Sequence, residues 1–329
     1  MPPFLKLFLL FLITGIFDLQ AQDTTTLQPT DFFGDNPGNL KLFLHNTTLE
    51  NDTTQKPLVV VLHGCGQDAE DVARLTGWNK LADLNNFLVL YPQQRFVNNP
   101  NSCFNWFNSE DVNKGMGECE SILQMIEYVC SHYAVDRSRV FITGLSAGGA
   151  MSVVMMATHP EVFRAGAVFA GGAYKIAAGP FSALKVMSGK INYSRSQLIE
   201  NVREQNPEFK GVYPLLIVYQ GLNDPIVDKR NAAALINQWT GINAADSVVD
   251  EHIDSFKNIS GLSRDVYKDS SGTSVLIYYE VKDLGHKILV SPGAGFDEGG
   301  ATGFFGVNRK YHSTFQTALD FGIVKKTER

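Results

Sequence analysis

The chain has 329 residues, of which 44% are hydrophobic and 19% are charged. This composition is that of an ordinary globular protein with enough apolar residues for a sizeable core. The formal net charge is −6 and the chain has no run of basic residues, which argues against nucleic acid and against an anionic membrane surface as partners.

The first segment has the pattern of a secretory signal peptide. Lys6 supplies a positive charge, residues 7–17 are apolar, and Ala21 is a small residue ahead of a polar stretch. Such an apolar run is too short to span a bilayer. We therefore expect a signal peptide over residues 1–22, a polar, loop-like segment over 23–39, and one domain over 40–329 that works outside the cytoplasm without a membrane anchor.

Export would place the four cysteines in an oxidising compartment, where disulfides persist. Cys119 and Cys130 lie on one apolar stripe with helical spacing. On an intact helix they are about 16 Å apart, whereas a disulfide requires a Cα separation below about 7 Å. Cys65 and Cys103 are then the predicted bridge. Four reduced cysteines in the core are the alternative.

Apolar patterns predict strands that alternate with helices in the first half of the chain. A weakly alternating strand over 40–44 is followed by fully apolar strands over 58–62 and 87–92. Between the last two, Asp68 is a plausible cap for a helix with apolar residues at three-residue steps up to Leu84. A long loop then precedes the helix of Cys119, and loops of this length are usually functional.

The second half continues the alternation. Strands are predicted over 140–143, 164–170, 213–219 and 274–281, and residues 173–212 are expected to form a cap or crossover beside the functional site. A closing helix is expected over 311–321. Strands that alternate with helices predict one α/β domain, with a mostly parallel central sheet and helices on both faces.

One stretch near the middle carries the strongest chemical signal. Gly144-Leu-Ser-Ala-Gly148 lies between a predicted strand and a predicted apolar helix. In this context Gly-x-Ser-x-Gly is a nucleophile elbow, because the small residues let the backbone bend sharply enough to expose the serine hydroxyl. Ser146 is therefore the candidate nucleophile. An ordinary strand-to-helix turn with an idle serine is the alternative.

Serine needs a neighbouring base, and the base needs a third group that holds it in one tautomer. His286 follows the strand over 274–281, and Asp224 follows the strand over 213–219. Functional residues collect at the carboxyl ends of strands in such sheets, and the order serine, acid, histidine is that of α/β-hydrolases. We predict Ser146, Asp224 and His286 as a catalytic triad. Asp228 is the rival for the acid.

A developing oxyanion needs two donors, and two backbone amides are candidates. Ala147 follows the serine directly, and Cys65 lies in the loop after the first fully apolar strand. A bridge from Cys65 to Cys103 would tie this loop to the aromatic stretch at Trp106. Trp106 is a candidate substrate-binding residue, although simple packing explains an aromatic side chain in such a loop equally well.

Five motifs in this order resemble the secreted polyhydroxybutyrate-depolymerase-like esterases, a family that includes feruloyl and acetylxylan esterases. The resemblance runs over about residues 40–321 and implies an α/β-hydrolase fold, the same triad and the same disulfide. The chain differs at two positions, since Lys287-Ile288 replaces the Ala-Trp that often follows the family histidine. The motifs are Leu62-His-Gly-Cys-Gly-Gln67, Cys103-Phe-Asn-Trp-Phe107, Gly144-Leu-Ser-Ala-Gly-Gly-Ala-Met151, Gly221-Leu-Asn-Asp-Pro225 and Leu284-Gly-His286.

The sequence thus predicts a secreted serine carboxylesterase that works through an acyl-enzyme, with no metal and no cofactor. Expected substrates are feruloyl or acetyl groups on polysaccharide, or 3-hydroxyacyl oligomers and polyester, with soluble esters ahead of solid polymer. Two alternatives are a serine peptidase of the same fold and a catalytically silent binding protein on a hydrolase scaffold. Four Asn-x-Ser/Thr sequons would matter in a glycosylating host; they begin at Asn46, Asn51, Asn192 and Asn258.

Overall fold

The computed structural model describes residues 27–47 and 53–325. The predicted signal peptide, residues 1–22, lies outside the described residues. The strands are β1 (Gln28–Thr30), β2 (Lys41–His45), β3 (Lys56–Leu62), β4 (Leu88–Gln93), β5 (Val135–Leu145), β6 (Ala165–Phe169), β7 (Leu215–Gly221), β8 (Glu251–Ile253), β9 (Leu262–Lys268), β10 (Ser274–Val281), β11 (Ile288–Val290) and β12 (Gly306–Asn308). The α-helices are α1 (Ala69–Thr76), α2 (Trp78–Asn85), α3 (Gly117–His132), α4 (Ala147–Thr158), α5 (Pro180–Met187), α6 (Arg195–Arg203), α7 (Arg230–Ile242) and α8 (Ser313–Asp320).

A ten-stranded sheet, counted over the described residues, runs in the order β1-β2-β4-β3-β5-β6-β7-β10-β9-β8. Neighbours from β4 through β10 pair in parallel, and antiparallel strands extend the sheet at both ends. The carboxyl ends of β5, β7 and β10 therefore lie at the same edge of the sheet. These are the strands that the predicted serine, aspartate and histidine follow.

Both faces of the sheet are covered, as the fully apolar strands predicted. In β3, Leu58 and Val60 belong to one hydrophobic cluster, whereas Val59 and Val61 belong to a second one. Side chains of α3 to α7 pack into the first cluster, and side chains of α1, α2 and α8 pack into the second. Successive side chains of a strand point to opposite faces, so a strand buried on both sides must be apolar throughout.

The predicted continuous helix up to Leu84 is wrong. The Asp68 side chain does cap α1 by accepting from the Asp71 backbone N–H at 2.8 Å. Gly77 then adopts φ 72°, which ends α1, and α2 begins at the next residue. Apolar residues at steps of three drift around a helix of about 3.6 residues per turn, so one straight helix could not have buried them all.

The N-terminal segment over 23–39 is less loop-like than predicted where it is described. Its residues Gln28–Thr30 form β1, which pairs antiparallel with β2 at the edge of the sheet. Farther along, the Gly38 N–H donates to Ser121 Oγ on α3 at 2.7 Å. These backbone hydrogen bonds tie the segment to the domain.

The cysteines pair as expected. Cys65 and Cys103 form a disulfide with a Cα separation of 4.2 Å, whereas Cys119 and Cys130 are free thiols on the intact helix α3. The alternative of four reduced cysteines is therefore wrong. Among the helices of the described residues, none combines the length and the apolar character that a membrane span needs.

Candidate active site

The backbone turns from strand to helix within a single residue at Ser146. β5 ends at Leu145, α4 begins at Ala147, and Ser146 between them has φ 57° and ψ −119°. This conformation is costly for a residue with a Cβ and persists only where the surroundings enforce it. Ser146 therefore stands at the tip of a strained elbow, as the Gly-x-Ser-x-Gly pattern predicted.

Gly148 allows the elbow to approach the neighbouring strand β3. A Cβ on Gly148 would lie 2.4 Å from the Leu62 carbonyl oxygen and 2.5 Å from the His63 carbonyl oxygen. Both are backbone atoms, so no side-chain movement could make room. The absence of a side chain here brings the start of α4 against the loop that follows β3.

Asp224 and His286 meet at the carboxyl ends of β7 and β10. His286 Nδ1 lies 2.7 Å from Asp224 Oδ2, and both side chains are almost fully buried. The other carboxylate oxygen, Oδ1, accepts from the backbone N–H groups of Ile226 and Val227 at 2.8 and 2.9 Å. These bonds hold the carboxylate in one orientation, and the carboxylate holds the imidazole.

The rival acid, Asp228, is engaged elsewhere. Its carboxylate accepts from Arg230 Nε at 2.8 Å and from Arg230 Nη2 at 2.9 Å. The hydrogen bond from this guanidinium lowers the pKa of Asp228 to about 2. Of the two candidate acids, Asp224 alone contacts His286 in the described chain.

The Ser146 hydroxyl makes no hydrogen bond to His286 in the described part of the chain. Catalytic hydrogen bonds are often long in an enzyme without substrate and tighten in the complex. The Phe305 ring packs edge-on against the His286 ring at a centroid distance of 6.0 Å. Lys287 holds the segment before Phe305 in place, because its Nζ donates to the carbonyl oxygens of Gly303 and Phe304 at 2.9 and 2.6 Å.

A cavity of about 70 Å³ opens beside Ser146. The disulfide and the Trp106 loop form one side, and α5 contributes Ala183 and Met187 to another, so part of segment 173–212 does lie beside the site as predicted. Trp106 is buried, with 7% of its surface exposed, and it lines the cavity. The described residues contain no group of three or more His, Cys, Asp or Glu side chains that could hold a metal ion.

Two backbone N–H groups of the cavity wall are available as donors. Cys65 and Ala147 both line the cavity, and in the described chain neither amide donates to a protein acceptor. The Ala147 amide is the first of α4, where N–H groups lack helical partners and the helix dipole favours negative charge. The two residues whose amides are predicted for an oxyanion hole thus line the same cavity as Ser146.

A buried histidine that the sequence reasoning did not consider orients the Cys65 amide. His63 Nε2 accepts from the Gln94 backbone N–H at 3.0 Å, so the ring proton is on Nδ1 and is donated to the Gly64 carbonyl oxygen at 2.8 Å. That carbonyl and the Cys65 N–H belong to one trans peptide and point in opposite directions. The Cys65 N–H therefore points away from His63. A histidine next to a glycine at a strand end was the signal that could have revealed this role.

A buried carboxyl group holds the second loop of the site, which carries Cys103 and Trp106. Glu118 Oε2 accepts from the Asn105 backbone N–H at 2.8 Å, and Oε1 accepts from Asn105 Nδ2 at 2.7 Å and from Gln94 Nε2. Burial raises the pKa of Glu118 to about 8, and repulsion from Asp111 acts in the same direction. Gln94 thereby links the His63 ring to the loop that carries Cys103 and Trp106.

The His63 interactions predict a specific pH dependence of stability. Burial lowers the pKa of His63 from 6.5 to about 4. Between these pH values the unfolded chain binds a proton that the folded chain does not, so His63 destabilises the fold as the pH falls from 6.5 to 4. In urea unfolding at several pH values, a His63→Gln variant should lose stability less steeply, by about 1.4 kcal/mol per pH unit. Glu118 is present in both the wild type and the variant, so its titration does not distinguish them. Parallel plots of stability against pH would therefore contradict the lowered pKa of His63.

The chain matches a known protein family. The family described as esterase PHB depolymerase matches residues 44–251, well over half of the chain. The chain belongs to this family. It is therefore a carboxylic ester hydrolase, as the motifs indicated.

Curated relatives carry several esterase names. The poly(3-hydroxyalkanoate) depolymerase C of Paucimonas lemoignei is 34% identical to this esterase, over 96% of this chain and 75% of the relative. The feruloyl esterase B of Talaromyces funiculosus is 29% identical, over 79% of this chain and 73% of the relative. These relatives differ in the esters that they are named for, so the family alone leaves the acyl group open.

A solved structure agrees with the fold. The acetyl xylan esterase from Aspergillus awamori superimposes with a TM-score of 0.76 at 20% sequence identity, over 91% of this chain and 100% of that chain. At this identity the likeness concerns the fold. The predicted α/β-hydrolase fold of this esterase is confirmed.

Proposed function

We propose that this esterase hydrolyses carboxylic esters through an acyl-enzyme formed on Ser146. The hydrogen bond between His286 and Asp224, at the sheet edge that carries the Ser146 elbow, is the observation that supports this most directly. His286 takes the serine proton as Ser146 attacks the ester carbonyl, and Asp224 stabilises the imidazolium that forms. His286 then protonates the leaving alcohol, and in the second half-reaction it activates the water that releases the acid.

The negative charge that develops on the carbonyl oxygen is received by the amides of Cys65 and Ala147. Both are unpaired in the described chain and line the cavity with Ser146, which supports this role. A donor already aimed at the oxyanion needs no reorganisation during the reaction, and losing one such donor typically costs about a hundredfold to a thousandfold in turnover. His63 and the disulfide serve the reaction by fixing the Cys65 side of this hole.

The substrates that we propose are esters with a short acyl group, on polyester oligomers or on acylated polysaccharide. The cavity of about 70 Å³ is small and its lining is largely apolar, which supports a short acyl group over the larger feruloyl group. Trp106 forms part of the apolar wall against which the acyl chain packs. The names of the relatives are compatible with either acyl carrier.

We also propose that the protein is exported through residues 1–22. The disulfide between Cys65 and Cys103 supports an oxidising destination, because such bonds are rare in the cytoplasm. The Asn-x-Ser/Thr sequons that begin at Asn46, Asn51, Asn192 and Asn258 would then matter in a host that glycosylates exported proteins.

One experiment tests site, substrate size and export together. Protein recovered from the culture medium or the periplasm, the two expected locations, is treated with a fluorophosphonate, and the modified peptide is identified by mass spectrometry. The modification is expected on Ser146. Untreated protein from the same source should hydrolyse 4-nitrophenyl acetate and butyrate with a kcat/KM at least about tenfold above that for 4-nitrophenyl ferulate. Modification of another serine, a preference for the feruloyl ester, or retention of the protein in the cytoplasm would each contradict the corresponding part of the proposal.

A further inference from the structure

Asn231 brings a carboxamide group into the largely apolar wall of the cavity. It is the second residue of α7, and 1% of its surface is exposed. Its Nδ2 donates to the carbonyl oxygens of Val186 and Asp228, both at 3.0 Å. Carbonyl oxygens can only accept, so these bonds determine which end of the carboxamide is nitrogen. The oxygen, Oδ1, must be the end that is turned away from them.

The Asn231 Oδ1 atom has no hydrogen-bond partner in the described chain. It is not one of the fully buried side-chain atoms that lack a partner, so part of its surface is accessible. A methyl group built on Gly172, another residue of the cavity wall, would lie 3.6 Å from Oδ1 and 4.0 Å from the Trp106 ring. Asn231 and Gly172 both line the cavity, so the free acceptor lies in the cavity wall beside Gly172. An acceptor in apolar surroundings is costly unless a donor reaches it, and no protein donor does.

We propose that Asn231 Oδ1 binds a hydroxyl group on the acyl chain of the substrate, so that the esterase selects short hydroxyacyl esters over plain acyl esters. The inference rests on the proposed function, in which the acyl chain on Ser146 enters this cavity. A hydroxyl on the second or third carbon of a short acyl chain is a donor carried within a group that the cavity can hold. Acetyl and butyryl groups have no such donor and leave Oδ1 unpaired.

The selection follows from the rigidity of the acceptor. A site built to bind a substrate hydroxyl discriminates against the analogue without it, because the buried protein group is then left without a partner. Asn231 cannot turn away to find another donor, since its Nδ2 is held by backbone carbonyls at the end of α5 and before α7. One neutral hydrogen bond of this kind corresponds to a preference of about tenfold to a hundredfold.

Matched ester pairs test the proposal. The kcat/KM values of 4-nitrophenyl 3-hydroxybutyrate and butyrate are compared, and those of the lactate and propionate esters as a second pair. In each pair the esters differ by one hydroxyl group, so leaving group and chain length cancel in the ratio. The wild-type enzyme should favour the hydroxylated ester at least about tenfold in one pair or both. Ratios near one in both pairs would overturn the proposal.

Two variants identify the atom responsible. Asn231→Leu removes the acceptor together with the Nδ2 donors, and Gly172→Ala keeps every hydrogen bond of Asn231 while placing a methyl group 3.6 Å from Oδ1. Both should bring the ratio to within about twofold of one. General damage to the fold lowers both esters of a pair alike and leaves their ratio unchanged, so a preference that survives in both variants would overturn the role of Asn231. Failure of the proposed function itself shows differently, as butyrate hydrolysis that does not depend on Ser146.

Discussion

Replacement of Ser146 with alanine is expected to lower the kcat for 4-nitrophenyl butyrate by about four to six orders of magnitude. The variant keeps the amides of Cys65 and Ala147, but it has no oxygen to form the acyl-enzyme. Alanine also keeps the single-residue bend at φ 57° and ψ −119°, since serine and alanine both carry a Cβ. The loss should therefore appear in kcat, with the melting temperature close to that of the wild type.

Ser152 provides the matched control for this variant. It lies on the same helix, α4, it is fully buried, and its hydroxyl donates to the Gly148 carbonyl oxygen at 2.8 Å. Ser152→Ala removes one buried hydroxyl from the same element and leaves every residue from Gly144 to Gly148 unchanged. It should keep kcat within a few-fold of the wild type and lose about 1 kcal/mol of stability. Near-normal activity of Ser146→Ala, measured by stopped assay with purified protein, would contradict the proposed nucleophile.

The replacement of Asp224 with asparagine is expected to lower kcat about ten-thousandfold. The backbone N–H groups of Ile226 and Val227 donate to one side-chain oxygen, so the asparagine oxygen must face them. Its NH₂ group is then turned toward His286, where the carboxylate stood 2.7 Å from Nδ1. An N–H donor at this place stabilises the tautomer whose proton is on Nε2. That tautomer cannot accept the proton of Ser146.

Asp228→Asn is the control for this second variant. Its carboxylate binds the exposed Arg230 guanidinium, and exposed ion pairs contribute about 0–1 kcal/mol. This variant should hydrolyse 4-nitrophenyl butyrate at a rate within a few-fold of the wild type. Steady-state kinetics on both variants decide between the two acids: a severe loss for Asp228→Asn together with a mild loss for Asp224→Asn would reverse the assignment.

The elements that were predicted correctly are those whose signal is local. A strand that is apolar throughout, such as β3, can only be buried on both faces, and the elbow is encoded by neighbouring residues from Gly144 to Gly148. The short edge strands β8 and β9 were not predicted. Their side chains are largely exposed or half-buried, so no alternation of apolar residues marks them. Backbone pairing places them, since β9 pairs with β10 and β8 pairs with β9, and this pairing depends on the fold of the whole chain.

The functional site shows the same division between features with a local sequence signal and features that depend on the tertiary structure. The amino-acid sequence by itself determined the family and the fold class, and it predicted Ser146 as the nucleophile, because a turn that exposes a serine requires particular small residues beside it. The tertiary structure decided which aspartate meets His286, how His63 orients the Cys65 amide, and that Asn231 turns a free oxygen into the cavity. Each of these depends on hydrogen bonds between groups brought together by the fold. The sequence specifies the chemical groups of each side chain, but the hydrogen-bond partner that orients a group is known only when the chain is folded.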